Sequence, residues 1–344
     1  MTKKERVLNQ LQGKEVDITP VGSTTTYAVT AFGDACGYAR PEADTDPKAM
    51  AEFALIGPKL CGWEWVKAMG WDIIPLSQAM GVELGDPTPT TQYYVKGHPF
   101  AESLDGLEYP ADFLSRGRFP VYKEQFRLLK DAVGDEMCIF GESEGAFTCA
   151  ANLVGTELFM KWLFKEPDKV QQVLEITKLA AIDAANFAFD NGADWYVFAE
   201  PTSGPALLSP RFYKKIVLPL EQEIISKVKG PVVLHICANT DSIIDMMCDT
   251  GAVGISIEEK ADMKAAVEKA EAKKVRVFGN VATATTLFNG TPEQCLQESL
   301  AALENGTHFL CPGCGVAPLS PLENLKQLRK ARDQKFGLQS EWTS

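Results

Sequence analysis

The sequence predicts an α/β fold, specifically a (β/α)8 TIM-type barrel with an N-terminal extension and an insertion after the second strand. Three observations carry that prediction. Eight short β-rich runs alternate with helical stretches along the 344 residues, the pattern of a parallel sheet wrapped by helices. Eight is also the strand count that closes a parallel barrel. Finally, no internal repeat and no Ser/Gly/Pro-rich linker divides the chain, so residues 1–344 are expected to form a single barrel domain. An open doubly wound sheet is the alternative that shares the same alternation.

Taken in order, the expected strands are residues 19–23, 72–76, 138–142, 195–200, 232–237, 253–258, 275–281 and 308–311. Residues 77–136 are too long for one crossover and read as the insertion. A helix is expected from Thr156, with Phe159, Trp162 and Leu163 inward and a break at Pro167. The next runs from Asp168 to about Asn191. It places Val173, Ile176, Leu179, Ala180 and Phe187 on one face, and Gly192 suits its end. Another follows Pro210 and ends near Gly230. The last follows Pro321 and carries Leu322, Leu325 and Leu328.

The composition excludes several function classes. Hydrophobic residues make up 45% and charged residues 23%, as in ordinary globular chains, so a disordered or fibrous protein is excluded. Lys plus Arg total 34 against 46 Asp plus Glu, a net charge of −12, which argues against nucleic acid as a partner. No apolar run reaches the roughly 18 residues of a membrane span. The start, Met1-Thr2-Lys3-Lys4-Glu5-Arg6, has no apolar signal segment behind it. Nine scattered cysteines, an odd number, point to reduced thiols and a cytoplasmic location rather than to a disulfide framework.

The chemistry-bearing residues gather at expected strand ends. His235 and Cys237 stand two apart at the end of the fifth strand, and residues i and i+2 of a strand share a face. An imidazole and a thiol projecting together make half of a zinc site. Cys311-Pro312-Gly313-Cys314-Gly315 follows the eighth strand, and all strand tips of a barrel converge on one mouth. One His and two Cys with an open fourth position is a catalytic zinc pattern. Buried Cys is also a common small hydrophobe, and Cys311 with Cys314 forms a C-x2-C, although its place after the last strand is wrong for a thioredoxin-like redox pair. Glu258 or Glu259 ends the sixth strand, Glu200 the fourth, and Glu142 with Glu144 the third. These are carboxylates expected around the same mouth. No P-loop, G-x-S-x-G or H-E-x-x-H occurs, and Pro318 spoils the G-x-G of Gly313-Cys314-Gly315 as a dinucleotide loop. With His98, His235 and His308 the only histidines, a histidine-based triad has little material. His308 reads as structural or exposed, and His98 lies in the turn sequence Gly97-His98-Pro99-Phe100.

Several of these segments match a known family. They are Arg40-Pro41-Glu42-Ala43, Gly97-His98-Pro99-Phe100, Pro110-Ala111-Asp112 with Arg116-Gly117-Arg118, Leu234-His235-Ile236-Cys237-Ala238-Asn239, and Pro312-Gly313-Cys314-Gly315-Val316-Ala317-Pro318 followed by Ser320-Pro321-Leu322-Glu323-Asn324. Over nearly the whole chain the sequence resembles the methylcobamide:coenzyme M methyltransferases, a branch of the uroporphyrinogen decarboxylase superfamily. The resemblance implies a (β/α)8 barrel and a zinc ion held by His235, Cys237 and Cys314. It gives Cys311 no ligand role and places a sixth-strand carboxylate on the resting zinc, by position Glu258, with Glu259 as the alternative. It also implies methyl transfer from a methylated corrinoid on a partner protein to a small thiol, coenzyme M. Another thiol, a pterin acceptor and decarboxylation are the competing readings. Decarboxylases of the superfamily bind a polycarboxylate through an Arg-rich N-terminal segment, and here Arg6 is the only Arg before Arg40. A sulfonate pocket for coenzyme M is not evident from the sequence.

Overall fold

The structure, a computed structural model, describes residues 1–339; residues 340–344 of the expected barrel span lie outside the described residues. Its centre is a seven-stranded parallel sheet in the order β1-β4-β5-β6-β7-β8-β9. These strands are β1 (Trp65–Lys67), β4 (Cys138–Glu144), β5 (Trp195–Ala199), β6 (Val232–His235), β7 (Gly254–Ser256), β8 (Arg276–Val281) and β9 (Phe309–Pro312). A separate antiparallel pair, β2 (Leu84–Gly85) and β3 (Tyr94–Val95), lies in the insertion. The expected first strand survives as a single bridging residue. Val21 pairs in parallel with Leu310 of β9, and its carbonyl accepts from Glu64 N–H beside β1 at 2.9 Å. Val21 thus joins the two edges of the sheet and occupies the eighth barrel position.

The second strand is Trp65–Lys67, not the expected 72–76. Pro75 instead begins the helix Pro75–Ala79, where its fixed φ and missing N–H suit the first turn. Asp72 accepts from Ile74 N–H at 3.0 Å and from Arg118 at 2.7 and 2.9 Å, so its carboxylate anchors a turn rather than alternating along a strand. The insertion accordingly begins after Lys67. It holds that helix, the β2–β3 pair and the helix Phe119–Val133. The long helix Pro167–Asp190 forms as expected, but Leu179 is exposed, and Val170, Leu174, Thr177 and Ala181 join its buried face.

Strand alternation orders the barrel interior in layers. Toward the strands' N-terminal ends lie Trp65, Phe140, Trp195, Phe278 and Phe309. Phe278 stacks on Phe309 at 3.9 Å and Phe140 on Trp195 at 5.3 Å. The helix Lys3–Leu11, closed at its start by a Thr2–Glu5 capping box, plugs that end with Val7 and Leu11. Two residues further along the same faces come Lys67, Glu142, His235, Ser256 and Cys311. The layer changes from aromatic to polar within one pleat, and this polar layer floors the site. Among the described residues no helix is long and apolar enough to cross a membrane.

Candidate metal centre at the barrel mouth

His235 is the last residue of β6 and is buried. Its Nδ1 lies 3.0 Å from Ser256 Oγ on the neighbouring β7. With Nδ1–H donating to that hydroxyl, the Nε2 lone pair is free to bind a metal, which is how a neighbouring partner selects a ligand's tautomer. The ladder ends at His235, so Cys237 is not in the strand. Ala238 next to it has φ 69°, and the chain turns away there. Cys237 Sγ nevertheless lies 3.3 Å from His235 Nε2. Cys314, two residues past β9, brings its Sγ to 3.7 Å from Cys237 Sγ. All three ligand atoms fall within 4.8 Å of one another.

These distances test whether a metal fits. Tetrahedral Zn2+, with bonds of about 2.3 Å to S and about 2.0 Å to N, has S···S edges of roughly 3.8 Å and S···N edges of roughly 3.5 Å. The observed spacings match both edges. The donor set agrees. Cys314 is held well below the ordinary thiol range by the Cys237 thiol, His235 and the Gly315 N–H, whereas Cys237 is pushed far up, chiefly by that same contact with Cys314 and by burial. The pair therefore accommodates one negative charge alone, and a cation is what would admit the second.

The other sequence candidates divide. Cys311 is fully buried in the barrel, 3.1 Å from Thr24 Oγ1, and burial pushes its thiol up to about 12. It is a core residue. Glu258 lies in phase with Ser256, half-buried, with Oε2 at 3.8 Å from Lys260 Nζ; its carboxylate stands outside the His-Cys-Cys group. Glu259 has a buried Oε2 without a hydrogen-bond partner, and burial raises its pKa. The carboxylates expected around the mouth mostly serve the fold instead. Glu144 accepts from the N–H groups of Leu76 and Ser77 at 3.3 and 2.7 Å, and Glu200 from Phe147 N–H, Thr148 N–H and Thr148 O–H at 2.9, 2.8 and 2.6 Å. Each satisfies the open N–H groups of a helix start. Burial raises both, to about 8 and about 7. Glu142 lies 3.1 Å from Lys67 Nζ, both fully buried, without a well-aligned hydrogen bond between them. Burial pushes the carboxyl up and the ammonium down. His98 is held by Asn152 O at 2.7 Å. Sequence reasoning missed Ser256 and Lys67. Only the register of the sheet reveals the first, and an isolated Lys in the apolar run Trp63–Trp71 was the available signal for the second.

The family model for uroporphyrinogen decarboxylase (URO-D) matches residues 2–335. The chain belongs to the uroporphyrinogen decarboxylase family. Within that family its similarity is uneven. It is 38% identical over 335 residues to the methylcobamide:CoM methyltransferase MtaA of Methanosarcina barkeri, covering 97% of this chain and 98% of that one. It is 30% identical to the methylcobamide:CoM methyltransferase MtbA of Methanosarcina acetivorans, covering 97% and 99%. A uroporphyrinogen decarboxylase of Prochlorococcus marinus is 24% identical over only 60% of this chain. Among solved structures, a methyltransferase from Methanosarcina mazei superposes with a TM-score of 0.94 at 38% identity, covering 98% and 99% of the two chains.

Proposed function

We propose that this protein is a zinc-dependent methyltransferase that moves a methyl group from a methylated corrinoid, presented by a partner protein, to the thiol of coenzyme M. The observation that carries the reading is the His235–Cys237–Cys314 group, with tetrahedral edge lengths and an open side at the barrel mouth. The full-length likeness to methylcobamide:CoM methyltransferases supports the substrates. In this reading His235 Nε2, Cys237 Sγ and Cys314 Sγ hold the metal, and Zn2+ would supply the positive charge that keeps an incoming thiol deprotonated near neutral pH, where a free thiol with pKa about 8.5 is mostly protonated. Ser256 orients the imidazole. The Gly315 N–H stabilises the Cys314 thiolate. Glu258, at the end of the neighbouring strand segment, would supply the fourth, displaceable carboxylate. The deprotonated acceptor attacks the methyl carbon, and the cobalt of the donor leaves as Co(I).

The N-terminal segment does not favour decarboxylation. Arg6 is committed to Asp17 and Glu64, and it is the only Arg before Arg40, so a polycarboxylate finds no cluster of free guanidinium groups there. X-ray absorption at the zinc edge tests the reading. The sulfur count at zinc is expected to rise from two to three on adding coenzyme M. A count that stays at two under saturating coenzyme M would overturn the coenzyme M assignment.

A further inference from the structure

An exposed apolar patch on the mouth side of the barrel has no part in the chemistry of the His235–Cys237–Cys314 group. It starts beside Cys237, because a Cβ on Gly204 would stand 3.0 Å from the Cys237 carbonyl oxygen. From there Leu207, whose N–H donates to Gly204 O at 2.9 Å, turns outward and is 55% exposed. Three residues of chain reach at most about 11 Å, so Leu207 stays close to the mouth. Ser209 then caps the helical turn Pro210–Phe212, and the Phe212 ring meets the ring of Phe164 edge-on at 4.6 Å. Phe164 is itself 72% exposed. It belongs to the helix Thr156–Lys165, which leads into Pro167–Asp190. That second helix has 24 residues, so it is about 36 Å long. It descends to the start of β5, whose five residues span only about 17 Å. Its first turns, and the helix before it, therefore stand beyond the strand tips. A groove of about 290 Å³, lined by Leu163, Pro167, Ile216 and Leu220 among others, adjoins the two rings.

The charge around this patch is opposite to that of the molecule. The chain carries −12, yet residues 157–169 and 207–217 hold six cations, Lys161, Lys165, Lys169, Arg211, Lys214 and Lys215, against three carboxylates. All six are exposed. Glu157 and Glu166 engage Lys161 and Lys169, and among the described residues the other four cations form no ion pair. Exposed large apolar side chains with a polar rim mark a protein-binding site, and a cationic rim calls for an acidic counterpart. The far end of the barrel is closed by its aromatic layer and the helix Lys3–Leu11, so a protein-borne methyl donor approaches from this side. Building on the methyltransferase reading above, we infer that Phe164, Phe212 and Leu207 dock the protein that presents the methylated corrinoid, with the lysine and arginine fringe meeting an acidic face of that partner.

The test measures methyl transfer to coenzyme M by the zinc-loaded enzyme from two donors, free methylcobalamin and a corrinoid protein carrying bound methylcobamide. Phe164→Ala is expected to lower kcat/KM with the protein donor about tenfold, the loss typical of a docking aromatic, and to leave it unchanged with free methylcobalamin. The double variant Lys214→Glu, Lys215→Glu is expected to lower the protein-donor rate about tenfold at an ionic strength of about 0.01 M and much less at about 0.15 M, where the Debye length has fallen from about 30 to about 8 Å. All three side chains are exposed, and unchanged zinc content and unfolding midpoint establish that the variants are folded. Equal losses with both donors, or full protein-donor activity in both variants, overturn the docking surface. So does a wild type that uses free methylcobalamin but no protein-bound methylcobamide. Sedimentation showing a wild-type dimer that Phe164→Ala splits would assign the patch to a second copy and overturn the docking of a donor there. A wild type that uses neither donor overturns the methyltransferase reading instead.

Discussion

Two cysteines in one C-x2-C have opposite environments. Cys311 points into a sealed barrel and bonds Thr24, whereas Cys314, three residues on, meets Cys237 and His235 at the open end. Purified protein is expected to carry about one zinc per chain. Cys237→Ala and Cys314→Ala should each lose it, and Cys311→Ala should keep it. Metal analysis of the three variants checks this, and zinc lost from Cys311→Ala but kept by Cys314→Ala would reverse the assignment. Glu258 belongs to a different class. Its carboxylate lies outside the three-residue group, so Glu258→Gln is expected to retain zinc while shifting the thiol's KM. A zinc content that collapses in this variant would make Glu258 a holding ligand instead.

At the scale of elements, strand register places the chemistry. β6 ends at His235, and its partner β7 delivers Ser256 to the imidazole because the two are paired in register. The other buried histidine acts at a strand start. His308 Nδ1 accepts from Val277 N–H at 3.0 Å, while Nε2 faces Glu271 at 3.3 Å. Accepting that bond requires a neutral ring, and burial lowers its pKa to about 4 from an unfolded value near 6.5. Between those values the unfolded chain binds the extra proton, so this contribution is complete above about pH 6.5 and is lost as pH falls toward 4. Urea unfolding at pH 7 and pH 5 is expected to show wild type losing on the order of 2 kcal/mol more than His308→Leu across that interval. Equal losses would remove His308 as the source.

The whole molecule separates stability from chemistry along the barrel axis. The closed end is aromatic and plugged by the N-terminal helix; the open end carries the polar layer and the His235–Cys237–Cys314 group. Phe278, stacked on Phe309 in the closed end, should cost about 3–5 kcal/mol as Phe278→Ala and leave zinc stoichiometry unchanged. Cys237→Ala should do the reverse, removing zinc with a smaller change in the metal-free unfolding midpoint. Chemical denaturation paired with metal analysis measures both. Equal effects of the two variants on zinc would contradict this division.

Strand and helix alternation, the strand-end positions of His235 and Cys314 and the insertion's place after the second strand were all legible in the chain, because each follows from local periodicity and short spacing. The resemblance carried by His-x-Cys and Pro-Gly-Cys-Gly likewise needed only neighbouring residues. What only the tertiary structure decided depends on contacts between residues far apart in the chain. Local apolarity suggested a strand at 72–76, but a bidentate pair with Arg118, 46 residues away, draws Asp72 into a turn. Glu144 and Glu200 looked like mouth carboxylates, yet helix starts packed against them claim their oxygens. Which of Cys311 and Cys314 joins His235 and Cys237 depends on where β9 ends. And the orientation of the His235 ring is settled only once the register of β6 with β7 has brought Ser256 to its Nδ1, because a hydrogen-bond partner distant in the chain is a property of packing rather than of residue type.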